Sequence, residues 1–194
     1  MTTPRRNSVL VDSTIWASAT LHSWFGLIAA EAQGEWSFHW TEDILAEAVR
    51  ARRRRFPTSS STQMENIRNY LMAVMGDNKI ERFPTDTTVE YPDPGDAHVH
   101  SAAVFGNISY LVTDNIHDFE PLYADPDERP YELYTSDAWL MLAAESAPDT
   151  IDSVILQQHE YNTRRASPHN LVSDLGKTSP AFAEYVRQRL QKLT

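Results

Sequence analysis

Two short β-branched runs, each closed by an aspartate, constrain this chain more than any other feature. Ser8-Val9-Leu10-Val11 ends at Asp12, and Ile108 to Thr113 (ISYLVT) ends at Asp114. Runs this short, apolar at successive positions, suit strands of a parallel sheet covered on both faces. Helical spacing fills the chain between them. Residues 14–33 place Ile15, Trp16, Ala19, Trp24, Leu27, Ile28 and Ala30 at helical intervals and stop near Gly34, which predicts one helix with a glycine end. Trp36 to Trp40 (WSFHW) is aromatic-rich and strand-like. Thr41 then caps a helix whose first turn holds Glu42 and Asp43 and which buries Ile44, Leu45 and Ala48. Phe56 to Ser61 reads as a loop, and Thr62 to Met75 as an amphipathic helix. Lys79 to Tyr91 is a proline-flanked connection with room for a short strand, and Gly95 to Phe105 is a helix. The alternation predicts a three-layer α/β/α fold around a central parallel sheet of four or five strands.

After Phe119 the pattern changes. Residues 121–130 are rich in Pro and Asp and form a loop, and Tyr131 to Tyr134 fits a last edge strand. Ser136 to Glu145, Asp149 to Arg164 and Pro180 to Leu193 all have helical spacing. Residues 1–135 are therefore expected to form the α/β domain, and residues 136–194 a helical C-terminal extension packed on it. A length of 194 residues suits that arrangement better than two independent cores. The chain has no cysteine, which removes disulfides, thiolate zinc sites and a cysteine nucleophile together and fits a cytoplasmic address. The apolar start is interrupted at Asp12, too soon for a signal peptide. No run approaches the roughly 18 apolar residues of a membrane span, so no membrane association is expected.

Net charge is -10, which on its face argues against a phosphate-rich partner. The distribution is uneven. Residues 1–80 carry nine basic and eight acidic side chains, residues 81–160 two and seventeen, and residues 161–194 six and two. An acidic surface that keeps the protein soluble explains part of the middle segment; a carboxylate site for a cation explains another part.

Position selects the candidates. Ligands of open parallel sheets bind at the carboxyl ends of strands, where the strand order switches. Asp12 ends the first run, and Asp114, Asn115 and Asp118 follow ISYLVT. Asp93 and Asp96 precede the helix AHVHSAAVF, and Glu47 lies one turn beyond Glu42 and Asp43. Carboxylates gathered from separate segments repel unless a cation sits among them, and all-oxygen donors favour Mg²⁺ or Mn²⁺. Each acid taken alone is an ordinary cap or surface charge, and Glu47 is by itself an ordinary helix glutamate.

Four spaced segments carry a resemblance: V-L-V-D-S-T-I-W-A-S from Val9; Thr41-Glu42-Asp43-Ile44-Leu45-Ala46-Glu47; Pro92-Asp93-Pro94-Gly95-Asp96-Ala97-His98-Val99; and Leu111 to Phe119. This ordered set resembles the PIN domain, in particular the VapC-like group of toxin–antitoxin ribonucleases, over roughly residues 8–135. The helical tail resembles an extension of one PIN subgroup. The resemblance implies a metal-dependent endoribonuclease in which Asp12, Glu47, Asp96 and Asp118 hold Mg²⁺ or Mn²⁺. It implies that Thr14 orients the first aspartate and that Asn115 fills a polar position supporting a metal-bound water. Asp114 stands where the family often has an apolar or aromatic residue and competes with Asp118 for the fourth acidic role, while Asp93 is an outer or capping acid. An RNA substrate, a cognate antitoxin protein and a homodimer follow from the same resemblance.

Other residues admit more than one reading. His98 and His100 form H-x-H, but on a helix i and i+2 face apart, so one ion is not held by both; His98 is read as packing near the site and His100 as a satisfied or exposed histidine. Arg50 and Arg52 to Arg55 either complement a helix C-terminus, or form a phosphate-gripping ridge with Arg50, Arg53 and Arg54 as RNA contacts, or meet an acidic segment of a partner. The tryptophans Trp16, Trp24, Trp36, Trp40 and Trp139 read as core or interface anchors. A haloacid-dehalogenase phosphatase needs D-x-D after the first strand, and Thr14 occupies the second position. The alternative to catalysis is a PIN scaffold that only binds protein or RNA.

Overall fold

The computed structural model describes residues 7–32, 34–165 and 169–193. Strand β1 (Ser8–Val11) leads into α1 (Ser13–Ala17) and α2 (Leu21–Glu31), then β2 (Ser37–His39), α3 (Glu42–Arg55) and α4 (Ser61–Met75). A 3₁₀ turn at Pro94–Asp96 opens α5 (Ala97–Phe105), followed by β3 (Tyr110–Val112), α6 (Ile116–Phe119) and β4 (Glu132–Tyr134). Four helices follow: α7 (Ser136–Ser146), α8 (Pro148–Thr163), α9 (Leu171–Leu175) and α10 (Pro180–Leu193). Among the described residues the sheet has four strands in the order β2-β1-β3-β4, every pair parallel. The predicted α/β class and parallel sheet are those observed, with four strands.

The register places three strand ends side by side. Leu10 pairs with His39 on one side and Leu111 on the other, and Val11 pairs with Val112. From β1 the chain moves outward to β2 and then returns past β1 to β3, so the order reverses between β1 and β3. That reversal opens a crevice at their carboxyl ends.

One helix was expected over residues 14–33, and the structure has two. Ser18 is extended (φ -62°, ψ 138°), and its hydroxyl accepts from the backbone N–H of Thr20 (3.3 Å) and Leu21 (3.2 Å). A serine side chain that supplies these orphan donors starts a new helix where spacing alone suggests continuity. The short strand allowed within residues 79–91 is reduced to one bridge, between Trp40 and Lys79. Thr41 caps α3 as expected, accepting from Ile44 N–H at 3.1 Å. Helices α6 and α9 were not expected; four or five residues are too few to show helical periodicity.

The buried apolar residues form one cluster that runs through the sheet and continues into α7, α8 and α10. Trp139 of α7 sits at its centre, stacked on Phe25 (5.2 Å between ring centroids) and edge-on to Trp36 (5.5 Å) and Phe38 (5.6 Å). Trp24 meets Phe182 of α10 at 5.4 Å. All five tryptophans are buried, so they anchor the core and present no stacking platform for bases. Covering both sheet faces leaves β1 wholly inaccessible and fixes its end, Asp12, in a rigid setting.

Candidate active site

Asp12 begins the site. Its backbone N–H continues the sheet by donating to Val112 O (2.9 Å), so its side chain emerges at the β1/β3 crevice. Only 3% of the residue is exposed. Three donors fix the carboxylate: Ser13 N–H on Oδ1, and the hydroxyls of Thr14 (2.8 Å) and Thr113 (2.9 Å) on Oδ2. Thr14, which follows Asp12 by two residues, is thus one of the donors on its carboxylate. Thr113, which closes β3, was missed by the sequence reading. Its only signal was a hydroxyl residue ending an apolar strand just before a polar turn.

Asn115 follows two residues later. It occupies the position before α6 where an asparagine usually caps a helix, yet its side chain makes no capping bond. Its amide nitrogen instead donates to Asp96 Oδ2 (3.2 Å) and to Asp118 Oδ2. The structure therefore joins Asp96, from the turn before α5, to Asp118, from α6, through one amide. Asp96 is half-buried, and its carboxyl is raised from 3.8 to about 6. Burial is the largest cause; the charges of Asp12, Asp118 and Asp93 follow, and a hydrogen bond with Asp118 favours the protonated form. Asp96 thus feels the charges of Asp12 and Asp118 although the three come from separate segments.

The remaining candidates stand around this group. Asp93 accepts from Gly95 N–H (2.8 Å), capping the turn that carries Asp96. Asp114 faces away from Asp96: its oxygens take the backbone N–H (2.8 Å) and hydroxyl (3.0 Å) of Ser136. Glu47 lies on α3 with Oε2 3.3 Å from His98 Nε2. His100 is a core histidine with Nδ1 2.8 Å from the Tyr131 hydroxyl and Nε2 3.4 Å from Asp86, so the two histidines do face apart. Among the described residues, no group of three or more acid and imidazole side chains closes into a formed metal cage.

The arginine run divides. Arg52 donates to Ser18 O (3.1 Å) and lies over the Phe56 ring, Arg53 donates to Ser59 O, and Arg55 also lies over Phe56. Arg50 and Arg54 are exposed. Glu47, Arg50 and Arg54 are spaced i, i+3, i+7 and so share one face of α3.

Fold and crevice together define a parallel α/β protein with an acidic site at its topological switch point. The PIN domain family model matches residues 8–117, more than half of the chain, and the chain belongs to that family. PIN domains are generally nucleases, which makes nucleic acid the substrate class. The match ends one residue before Asp118. No curated protein and no solved structure matches the chain. Among the described residues, no helix is long and apolar enough to cross a membrane.

Proposed function

We propose that the protein is a metal-dependent endoribonuclease whose acidic group is Asp12, Asp96 and Asp118, with Glu47 beside it. One observation carries this reading: at the switch point the Asn115 amide joins Asp96 to Asp118, and Asp96, raised to about 6 first by burial, also feels the charges of Asp12, Asp118 and Asp93. Like charges gathered in this way destabilise the empty site and are relieved by a cation. The donor chemistry fits a hard ion, since every candidate ligand is a carboxylate oxygen. Such an ion, when bound, stabilises charge on a phosphodiester and makes a water more acidic.

The chain's own residues would supply the rest. Asp12, Asp96 and Asp118 would hold Mg²⁺ or Mn²⁺, with the Asn115 amide fixing the last two relative to each other and Thr14 and Thr113 fixing the first. Glu47, only half-buried, would complete the set or take up a proton from the attacking water. Arg50 and Arg54 extend from Glu47 along α3 and would grip flanking phosphates. The toxin role, a cognate antitoxin, a homodimer and a cytoplasmic site of action are part of the same proposal; their support is the likeness of the four spaced motifs to the VapC-like group.

The test compares wild type with Asp96→Asn on defined single-stranded and structured RNAs, with Mn²⁺ and with a chelator. Metal-dependent cleavage lost in the folded variant supports the reading. Equal cleavage by the variant overturns the site, and saturable RNA binding without cleavage or Mn²⁺ binding favours a binding scaffold.

A further inference from the structure

The turn after β3 divides its labour among three consecutive residues. Thr113 holds Asp12 through its hydroxyl and also accepts Asn115 N–H (3.0 Å). Asn115 spans Asp96 and Asp118. Asp114, between them, makes neither contact. Both its oxygens engage Ser136, the first residue of α7. Ser136 is fully buried, and its hydroxyl lies 3.3 Å from that of Ser179, which is equally buried and just precedes α10. A carboxylate receiving a helix N-terminal N–H and a hydroxyl is held by two charge-assisted bonds and by the helix dipole.

We propose that Asp114 is a positioning residue: it clamps the turn onto the start of α7, so that Asn115 presents its amide to Asp96 and Asp118 together. The C-terminal helices thereby set the geometry of the site without touching it. Asn115 makes no helix-capping bond of its own; its N–H is held by Thr113 and its amide by Asp96 and Asp118. Thr113 anchors one side of the turn through β1 and β3; the Ser136 bonds anchor the other. Releasing Asp114 frees the turn to rotate, and Asn115 then loses simultaneous reach to both carboxylates. This reading gives Asp114 a task distinct from that of the fourth acid.

The inference rests on the metal site proposed above, and its test separates the two. The side-chain amide resonances of Asn115 are recorded by NMR in metal-free wild type, Asp114→Ala, Ser136→Ala and Ser136→Thr, and Mn²⁺ affinity is measured by calorimetry on the same proteins. Asp114→Ala and Ser136→Ala are expected to shift the Asn115 amide signals and to weaken Mn²⁺ binding about tenfold, the size usual for residues that orient ligands. Ser136→Thr, which keeps the hydroxyl, restores both. A lower melting temperature with unchanged Asn115 signals overturns the proposal and leaves Asp114 a helix tether. If wild type binds no Mn²⁺, the metal reading fails, while the amide signals still decide the role of Asp114. Should Asp114→Ala not fold, Asp114→Asn, which retains one acceptor, is expected to show a smaller shift in the same direction.

Discussion

Two places in this molecule bring like charges together, and the fold treats them in opposite ways. At the β1/β3 crevice, Asp96 is raised to about 6, first by burial and then by the charges of Asp12, Asp118 and Asp93. At the break between α1 and α2, Arg52 and His22 converge on one carbonyl: Ser18 O accepts from Arg52 Nη1 (3.1 Å) and lies 2.8 Å from His22 Nδ1. A carbonyl only accepts, so Nδ1 carries the hydrogen. Burial, with Arg52 second, lowers His22 from 6.5 to about 4, so it stays neutral at physiological pH. The basic knot is resolved from within, by an uncharged histidine. The acidic crevice is resolved only in part, at a pH just below neutral and at a carboxyl still open to solvent. A conflict left at the mouth of a strand-end crevice is what a ligand site requires; one settled in the interior is structural.

The largest test of this contrast is catalytic. Under the proposed mechanism, Asp12→Asn is expected to reduce metal-dependent RNA cleavage roughly 10²–10³-fold, as loss of a positioned electrostatic group does. Removing the knot by Arg52→Met is expected to lower melting temperature while leaving cleavage per folded molecule near wild type. Activity and thermal melts on both variants decide it. If Arg52→Met also abolishes cleavage at temperatures where it is folded, the two regions are not separate.

The pH dependence of stability runs in opposite directions at the two places. Between pH 6.5 and 4 the unfolded chain protonates His22 while the folded chain does not, so the stability present above about 6.5 is lost as pH falls toward 4. At about 1.4 kcal/mol per unit, this loss is about 3 kcal/mol for a group this well buried. Replacing His22 with Leu is expected to flatten that part of a urea-midpoint profile; an unchanged slope removes His22 as the cause.

For Asp96 the sign reverses. Its folded form holds a proton up to about 6 and the unfolded chain only to 3.8, so metal-free stability falls as pH rises through that window. Solvent screening at a half-exposed carboxyl reduces the effect to about 1 kcal/mol. Asp96→Asn is therefore expected to raise the unfolding free energy of the metal-free protein at pH 7, read from its denaturant curve, by that amount, while removing Mn²⁺ binding. A variant that is less stable than wild type at pH 7 contradicts the placing of an ionised Asp96 in a half-buried, acidic setting.

These contrasts also show what the sequence could carry. The parallel sheet was legible because Val9 to Val11 and Leu111 to Val112 are continuous apolar runs, which only a doubly covered strand tolerates. Asp12, Asp96 and Asn115 were legible because their place after strands or before a helix is local information. The break at Ser18 was hidden: one hydroxyl satisfying two N–H groups overrides a helical spacing that continues on both sides. Thr113 and Ser136 were hidden because their partners lie 101 and 22 residues away, and no pattern of residue types records such bonds. Where Asp114 and Asp118 turn was not legible at all: the first meets Ser136 of α7, and the second meets the Asn115 amide that also reaches Asp96.

The smallest expected effect lies within α3, where the same residue type serves both regions. Arg52 faces the knot and Arg53 donates to Ser59 O, whereas Arg50 and Arg54 are exposed on the face of Glu47. Arg55 is also exposed but lies over Phe56, so Arg50 and Arg54 are the pair placed to meet a phosphate backbone, and an exposed cation contributes through counterion release more than through a fixed bond. Arg54→Ala is expected to weaken RNA binding about two- to fivefold at moderate salt and to reduce the slope of log affinity against log salt by about 0.7, the single-strand value per phosphate contact. Arg50→Ala should do the same, and the double variant should show the sum of both slope changes. Fold stability should not move, because neither side chain is buried. An unchanged salt slope in the double variant would place the RNA path elsewhere and leave the arginine run wholly to the helix C-terminus and its neighbouring carbonyls.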